Sequence, residues 1–351
     1  MHLVNFERID SHMPAKGAGS LGDAALGFEG LEPALPGSRR LGALVQLGPY
    51  AGWVVDLNRM LAIKLAYDDV GAPEVEANSL VPPDIFSFLR LGASALEAAS
   101  IALDFAIDSL DRYDAPDILR AGAVEPATRV RICAPLPRPG KIVGVVENYP
   151  DPDAVSPSVG ELDVPALFLK APSAVIGPND EIRLPAATRQ VDFQGELAVV
   201  IGAQARNISE TDALGCVAGY CVANDVTARD FERSGYAIGK SCDTFAPLGP
   251  ALVTADEIPD PQELSIRSLV SGEVLQLSST KEMRFPVANI IAFTSTIMML
   301  EPGDVILTGT PYGVGASHDP PQWLHDGDVV EVEISSLGRL RNYVTRARTD
   351  S

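Results

Sequence analysis

In the first third of the chain, strand-like and helix-like spacings of apolar residues follow one another. The segment "RRLGALVQLGPYAGWVVDL" (39–57) places two apolar runs around a Gly-Pro pair, which is typical of a β-hairpin. Asp56 then stands as a candidate N-cap before "LNRMLAIKLAYDD" (57–69), where we predict a helix. A longer helix is predicted over 94–113, because apolar residues recur there every three or four positions.

After residue 135 the pattern changes to short apolar runs separated by Pro and Gly. Helices are expected in part of "SETDALGCVAGYCVA" (209–223) and over "VANIIAFTSTIMML" (287–300). Strands are predicted at 142–146, 166–169, 197–201, 217–223, 250–254, 305–307 and 329–334.

These patterns predict an α+β protein that is mostly β. We place a small N-terminal α/β domain at 1–135 and a larger, mixed β domain at 136–351. Residues 11–36 are rich in Gly, Pro and Ala, and we expect an arm or loop there.

Composition narrows the possible partners. The formal net charge of −20 argues against nucleic acid and anionic membrane surfaces as partners, since both need clustered Lys and Arg. No apolar run approaches ~18 residues, and the N-terminus lacks a basic segment followed by an apolar one. We therefore expect a cytoplasmic protein. Because no C-x-x-C pair occurs, reduced thiols are expected at Cys133, Cys216, Cys221 and Cys242.

Two acids lie at the ends of strongly apolar runs. Glu196 begins "ELAVVIG" and Asp225 ends "GYCVAND". A desolvated carboxylate is costly unless it is paired or binds a cation, so adjacent strands could form an oxygen-rich site for Mg²⁺, Mn²⁺ or Ca²⁺. Gln194 is two positions before Glu196 and would share its face of the strand. The alternative is that both acids pair with Lys or Arg.

Three further features could contact an anionic substrate. Lys240 lies in "GKSCDTFAPLGP" and could bind a carboxylate or stabilise an enolate, although a solvated loop lysine is the commoner outcome. Arg229, in "TARD", is either a carboxylate clamp or the partner of Asp230. The loop "LTGTPYGVG" (307–315) offers hydroxyl groups and backbone amides as an oxyanion cradle.

Histidine-based chemistry has little support in the sequence. We expect exposed loop positions for all four histidines, and no Gly-x-Ser-x-Gly elbow is present to support a serine hydrolase. The histidines are His2, His12, His318 and His325.

Five ordered motifs between residues 140 and 345 resemble the fumarylacetoacetate hydrolase family. They are "PALFLKAPSAVIGPNDEIRLP", "VDFQGELAVVIG", "VANDVTARDF", "GKSCDTFAPLGP" and "EPGDVILTGTPYGVG". The resemblance implies a mixed β-sandwich roll, usually a homodimer, that binds Mg²⁺ or Mn²⁺. It implies action on 2-oxo or β-diketo acids by carbon–carbon bond hydrolysis, decarboxylation or isomerisation.

The same resemblance assigns roles to individual residues of this chain. The metal positions fall on Gln194, Glu196 and Asp225, and the catalytic positions on Lys240, Arg229 and Thr310. Substrate contacts are implied for Tyr149, Lys170, Asp243, Thr308 and Gly309.

Two departures from the family pattern affect the expected chemistry. Gln194 replaces the first metal-binding Glu, which removes one negative charge and should weaken cation binding. The lid segment "NYPDPDAVSPSVGELD" lacks the water-activating histidine of hydrolytic members, and nothing selects Asp151, Asp153 or Glu161 as a substitute. The sequence therefore favours reactions that need no activated water, such as decarboxylation or isomerisation. A non-catalytic protein that binds a small acid is the alternative.

Overall fold

The computed structural model describes residues 1–9, 38–112, 118–119, 121–150 and 163–346, and the fold below is that of these residues. They divide into two compact units, Met1–Ile132 and Cys133–Ser351, next to the boundary expected at 135. Several sequence predictions lie outside the described residues: the arm at 11–36, His12, and the three candidate acids Asp151, Asp153 and Glu161.

In the N-terminal unit, strands form a sheet in the order β4-β3-β2-β1, with β5 beside β1. The strands are β1 (His2–Arg8), β2 (Arg40–Leu44), β3 (Trp53–Asp56), β4 (Val124–Pro126) and β5 (Val130–Cys133). The helices are α1 (Leu57–Tyr67), α2 (Pro73–Leu80), α3 (Ile85–Leu91) and α4 (Ala93–Asp111).

The predicted hairpin and both predicted helices of this unit are confirmed. Strands β2 and β3 pair antiparallel, with Ala43 opposite Val55. Asp56 caps α1, since its Oδ1 accepts a hydrogen bond from the Arg59 backbone N–H at 3.1 Å. The sequence pattern did not predict α2 and α3, because eight and seven residues are too few to show a helical repeat.

The C-terminal unit consists of many short strands and few helices. Its helices are α5 (Glu210–Ala213), α6 (Arg229–Glu232), α7 (Tyr236–Lys240) and α8 (Val287–Ile297). Its strands are β6 (Ile142–Val146), β7 (Ala166–Lys170), β8 (Val175–Ile176), β9 (Glu181–Leu184), β10 (Val191–Asp192), β11 (Gly195–Ile201), β12 (Val217–Asn224), β13 (Thr227–Ala228), β14 (Ala246–Thr254), β15 (Ser265–Val270), β16 (Glu273–Ser279), β17 (Val305–Leu307), β18 (Val329–Ile334) and β19 (Gly338–Arg346).

Two mixed sheets of this unit pack face to face. One sheet has the order β14-β12-β11-β17-β6-β7, and the other has the order β16-β15-β18-β19-β9. Apolar side chains of β11, β12, β15, β18 and α8 meet in one buried cluster between them. Strand β11 is buried along its whole length. The expected α+β fold with a mixed β-sandwich is confirmed, and its central strands carry the candidate site.

Each strand predicted in this unit is present. The predicted bounds of β6, β17 and β18 match the structure. Strand β14 begins four residues before the predicted start at 250. The prediction began too late because Pro247 and Pro250 lie within the strand, and Pro normally signals the end of a strand. In the segment 209–223 only α5 and a following short turn are helical, and strand β12 begins at Val217.

Among the described residues, no single helix is long and apolar enough to cross a membrane. Helices α3 and α4 reach the length and apolar composition of a membrane span only when they are taken together, and the chain bends by 115° between them. The four cysteines are free, with Cys133 and Cys221 buried and Cys216 and Cys242 half-buried.

Candidate active site

The pairing of β11 with β12 brings the predicted cation ligands together. Gly195 lies opposite Asn224, so Gln194 and Asp225 flank the same end of the strand pair. The Asp225 backbone N–H donates to the Gln194 carbonyl at 2.8 Å and fixes this end. Gln194, Glu196 and Asp225 are each at most 6% exposed and line one cavity. The three residues share a face, as their spacing predicted.

Lys240 is buried, which corrects the view of it as a solvated loop lysine. It ends helix α7 and is 4% exposed. Its Nζ donates to Gln194 Oε1 at 2.7 Å, Asp225 Oδ2 at 2.5 Å and Thr227 Oγ1 at 2.9 Å. The ring of Phe168 lies 4.9 Å from the same nitrogen. Lys240 is therefore held inside the site as a fixed positive charge.

Asp225 has a second lysine partner on its other oxygen. Lys170 Nζ donates to Asp225 Oδ1 at 2.5 Å and to the Val226 carbonyl at 3.0 Å. Burial would raise the pKa of Asp225, but the two ammonium groups outweigh it and hold that pKa below its usual value. Burial lowers the pKa of Lys170 to about 8. Lys170 is not on the cavity wall, and its side chain is held by Asp225 and the Val226 carbonyl.

Glu196 has no lysine partner at hydrogen-bond distance in the described structure; its Oε2 accepts a hydrogen bond from the Gly309 backbone N–H at 2.7 Å. Burial, and then the negative charge of Asp225, raise the pKa of Glu196 well above its usual value. Tyr149 lines the same cavity, and burial and then the Glu196 charge raise the pKa of its phenol above its usual value. The Tyr149 hydroxyl is buried and has no hydrogen-bond partner among the described residues.

Arg229 does not pair with Asp230, which was one of the two roles left open for it. Its Nε donates to Asp192 Oδ2 at 2.9 Å and its Nη1 to Glu232 Oε2 at 3.1 Å. Asp230 instead accepts hydrogen bonds from Thr188 and Arg189. The two acids outweigh burial and raise the pKa of Arg229. The proposed pairing of Arg229 with Asp230 is wrong, and Arg229 lines the cavity as a doubly anchored cation.

Asp192 also fixes the opposite wall of the cavity. Its Oδ1 accepts from the Gly315 backbone N–H at 2.7 Å, and its Oδ2 accepts from that of Ala316 at 3.2 Å. Asp192 is fully buried. One carboxylate thereby holds helix α6 and the loop that follows β17 in a fixed relation.

Several polar groups of the loop at 307–315 are already hydrogen-bonded to other parts of the protein. Thr308 is fully buried, and its hydroxyl donates to the Leu197 carbonyl at 2.9 Å. Thr310 lines the cavity, but its hydroxyl donates to the Gly195 carbonyl at 2.9 Å. The Gly309 amide is directed at Glu196. The loop thus positions Glu196, and the two threonine hydroxyls and the Gly309 amide of the expected oxyanion cradle are already hydrogen-bonded within the protein.

Asp243 and the described histidines are not among the residues that line the cavity. Asp243 is exposed and is not on the cavity wall, so its expected substrate contact is not supported. Two histidines differ from the expected exposed loops: His2 lies half-buried in β1, and half-buried His318 has its Nε2 3.3 Å from the Gly313 carbonyl oxygen. His325 is exposed, as expected.

The site is a cavity of about 300 Å³ whose walls carry both acids and cations. Its apolar side includes Phe168, Tyr236 and Tyr312. The predicted residues on its wall are Tyr149, Gln194, Glu196, Asp225, Arg229, Lys240 and Thr310. A cavity of this size, with an apolar side and with the cations Arg229 and Lys240 on its wall, suits a small anionic molecule.

The oxygen donors fit a hard divalent cation by their chemistry. Gln194 Oε1 and Asp225 Oδ2 converge on one point, and Glu196 lines the same cavity. The Lys240 ammonium occupies that point of convergence. No group of three His, Cys, Asp or Glu side chains suited to a metal ion occurs in the described part of the chain, and position 194 carries an amide. A divalent cation at this point would compete with Lys240 for the same oxygens.

The sequence reasoning missed Asp192, Thr227 and Glu232 as parts of this site. A signal for Glu232 was present, because it follows Arg229 by three residues in a helix and faces the same side. Asp192 stands two positions before Gln194 in "VDFQ", a spacing that puts both side chains on one face of an extended chain, so a signal for Asp192 was present as well. The contacts of Thr227 depend on the fold of α7 and had no local signal.

Comparison with known proteins identifies related enzymes. The model of the fumarylacetoacetate hydrolase C-terminal family matches residues 141–345. The mitochondrial oxaloacetate tautomerase of Xenopus laevis is 40% identical over 311 residues, which cover 88% of this chain and 86% of that protein. The mitochondrial oxaloacetate tautomerase of Homo sapiens is 41% identical over 268 residues, which cover 75% of this chain and 80% of that protein.

Solved structures give the same grouping. A fumarylacetoacetate hydrolase from Exiguobacterium antarcticum superposes with a TM-score of 0.67 at 33% identity and covers 89% of this chain and 96% of its own. A 2-hydroxyhepta-2,4-diene-1,7-dioate isomerase from Mycobacterium marinum has a TM-score of 0.57 at 40% identity and covers 65% of this chain and 82% of its own.

Proposed function

Because this chain belongs to the fumarylacetoacetate hydrolase family, we propose that it interconverts the keto and enol forms of a small 2-oxo dicarboxylic acid of the oxaloacetate type. One observation carries the proposal: the buried Lys240 ammonium lies between Gln194 and Asp225 in a cavity of about 300 Å³. A fixed positive charge in a desolvated cavity stabilises the negative charge that develops on an enolate oxygen.

The names of the related proteins support this reaction class. The curated relatives at 40% and 41% identity are named tautomerases, and the structure from Mycobacterium marinum is named an isomerase. Carbon–carbon bond hydrolysis needs an activated water, and the sequence lacks the lid histidine that the family pattern supplies for it. We therefore place tautomerisation before hydrolysis and decarboxylation.

Gln194, Glu196 and Asp225 are the residues that would hold Mg²⁺ or Mn²⁺. When bound, such a cation would supply electrostatic stabilisation of charge on the substrate oxygens. Lys240 and Arg229 line the same cavity and would orient the carboxylates of a dicarboxylic acid. Glu196 is held in place by the Gly309 amide, and Asp225 by Lys170.

The test measures the rate at which oxaloacetate approaches its keto–enol equilibrium, followed by the absorbance of the enol. We expect purified protein with Mg²⁺ or Mn²⁺ to accelerate this rate, and Lys240→Met to reduce the acceleration. No acceleration with either cation would contradict the proposal. Acylpyruvates and fumarylpyruvate serve as parallel substrates, and their cleavage would assign the protein to the hydrolases instead.

The lysine contacts of Gln194 and Asp225 support a second candidate function. A protein whose would-be cation ligands are held by lysine can bind a small acid without catalysis. Calorimetry with Mg²⁺, Mn²⁺ and oxalate separates the two functions. Oxalate binding without any cation binding or tautomerase activity would favour the binder.

A further inference from the structure

We propose that Glu232 is the carboxylate that moves the proton between carbon and oxygen of the substrate, an inference that rests on the function proposed above. Glu232 lies on the cavity wall, and its side chain is 14% exposed. Its Oε1 is buried and has no hydrogen-bond partner among the described residues. A buried carboxylate oxygen without a donor is costly, so a ligand that fills the cavity would be its natural partner.

The surroundings of Glu232 fix its orientation. Its Oε2 accepts from Arg229 Nη1 at 3.1 Å, and Arg229 is itself anchored on Asp192. On the other side, a Cβ atom added at Gly239 would lie 2.6 Å from Glu232 Cγ. The side chain is thus held between Arg229 and the backbone of α7, with one oxygen directed away from its anchor. Such support is what a proton-transfer group needs.

The neighbouring charges suit the same role. Lys240 Nζ lies 4.0 Å from Glu232 Oε1, too far for a hydrogen bond but close enough to stabilise an adjacent enolate. Both oxygens of Asp225 are already engaged by lysines. Glu147 also lines the cavity, but it is exposed. Glu232 therefore combines burial, an unengaged oxygen and a nearby cation.

The proposed step conserves atoms and electrons. The Glu232 carboxylate takes a proton from C3 of the keto acid, and the electron pair of that C–H bond forms the C2–C3 double bond. The π electrons of the C2 carbonyl move to its oxygen, where the Lys240 ammonium neutralises the charge. The protonated Glu232 then gives its proton to that oxygen and returns to the carboxylate, and no other reactant is consumed.

The experiment compares wild type with Glu232→Gln, Glu232→Asp and Glu147→Gln. The exchange of the C3 hydrogens of oxaloacetate for deuterium is measured by NMR in D₂O with Mg²⁺, and the uncatalysed rate is subtracted. Calorimetry with oxalate, an inert enolate mimic, reports binding separately. We expect Glu232→Gln to lower the exchange rate about 10²–10⁴-fold. Because the amide keeps the bond to Arg229, the oxalate Kd should change less than about threefold.

Glu232→Asp withdraws the carboxylate by one methylene and provides a second test, with an expected loss of about 10²-fold. The inference is overturned if both Glu232 variants keep the wild-type exchange rate, if oxalate binding falls as much as the rate, or if Glu147→Gln shows the loss instead. Absence of catalysed exchange in the wild type would reject the proposed function together with this inference. Catalysed exchange in both wild type and Glu232→Gln would reject the role of Glu232 alone.

Discussion

Gln194 and Lys240 are the two residues expected to set the affinity of the proposed site for a divalent cation. The amide contributes no negative charge, and the ammonium lies where the donor oxygens converge. We expect each feature to lower the affinity of the proposed site for Mg²⁺ by electrostatics. The effects of the two residues on cation affinity are coupled, because a carboxylate at position 194 would attract both the cation and the Lys240 ammonium.

We predict that Lys240→Met and Gln194→Glu each tighten Mg²⁺ or Mn²⁺ binding, by about tenfold for a gain of about 1.4 kcal/mol. The double variant should gain more than the sum of the two, since Lys240 can no longer neutralise the new carboxylate. Titration calorimetry measures all four proteins. Exposed Lys281→Met is the matched control, and equal affinities across the series would show that Gln194 and Lys240 do not contact the cation.

Cys221 is expected to make the folded state less stable as the pH rises above 9. It is fully buried in β12, and burial raises the pKa of its thiol to about 12 from about 9. A raised pKa stabilises the folded state below pH 9, and this contribution is lost as the pH rises from 9 towards 12.

We therefore expect the difference in unfolding free energy between wild type and Cys221→Ala to fall above pH 9, by at most about 1.4 kcal/mol per pH unit. Urea unfolding between pH 8 and about 11 measures it. Groups present in both proteins, such as Tyr220, cancel in the comparison. A difference that stays constant across this range would contradict the prediction.

At the scale of elements, strand pairing shapes the cavity through Gly144. This residue of β6 lies opposite Phe168 of β7, and the Phe168 ring covers it. A Cβ atom at position 144 would lie 2.0 Å from Phe168 Cζ. Because the same ring forms a wall of the cavity and contacts Lys240, a change in β6 is transmitted to the site.

Gly144→Ala should destabilise the protein by about 1–3 kcal/mol through overpacking and should weaken oxalate binding. Gly215→Ala is the matched control, since a Cβ atom there meets nothing within 4 Å. The double variant Gly144→Ala, Phe168→Leu should recover part of the lost stability. Urea unfolding and calorimetry check both effects, and a Gly144→Ala protein as stable as wild type would show that the ring can move at no cost.

The sequence predicted those features that depend on local periodicity. The hairpin β2–β3, the helices α1 and α4, and the runs that became β6, β17 and β18 were found because their apolar spacing is regular. The shared position of Gln194, Glu196 and Asp225 followed from their places at strand ends. The burial of Lys240 and the pairing of Arg229 with Asp192 could not be predicted, because contacts between distant segments set them.

At the scale of the whole molecule, the homodimer implied by the family resemblance remains a prediction. The C-terminal unit has an apolar hollow of about 540 Å³ beside exposed Leu169 and Ile297. Large exposed apolar residues around such a hollow are typical of surfaces that bind another protein. We expect light scattering to give twice the 37.1 kDa mass of one chain.

Leu169→Glu combined with Ile297→Glu should give the mass of a single chain, because burying two carboxylates in an apolar interface is costly. Leu277→Glu is the control, since Leu277 is 75% exposed on strand β16. A monomeric wild type would contradict the homodimer itself. A variant that keeps the doubled mass would place the interface elsewhere.

The position of Asp192 restricts which substitutions around the cavity can change the substrate preference of this protein. By holding Arg229 and the backbone at Gly315 at once, it makes two walls of the cavity depend on one buried side chain. A new substrate preference is therefore more accessible through Tyr236 and Tyr312, which face the cavity and are 48% and 38% exposed. Libraries that vary these two tyrosines and leave Asp192 intact offer a practical starting point for redesigning specificity.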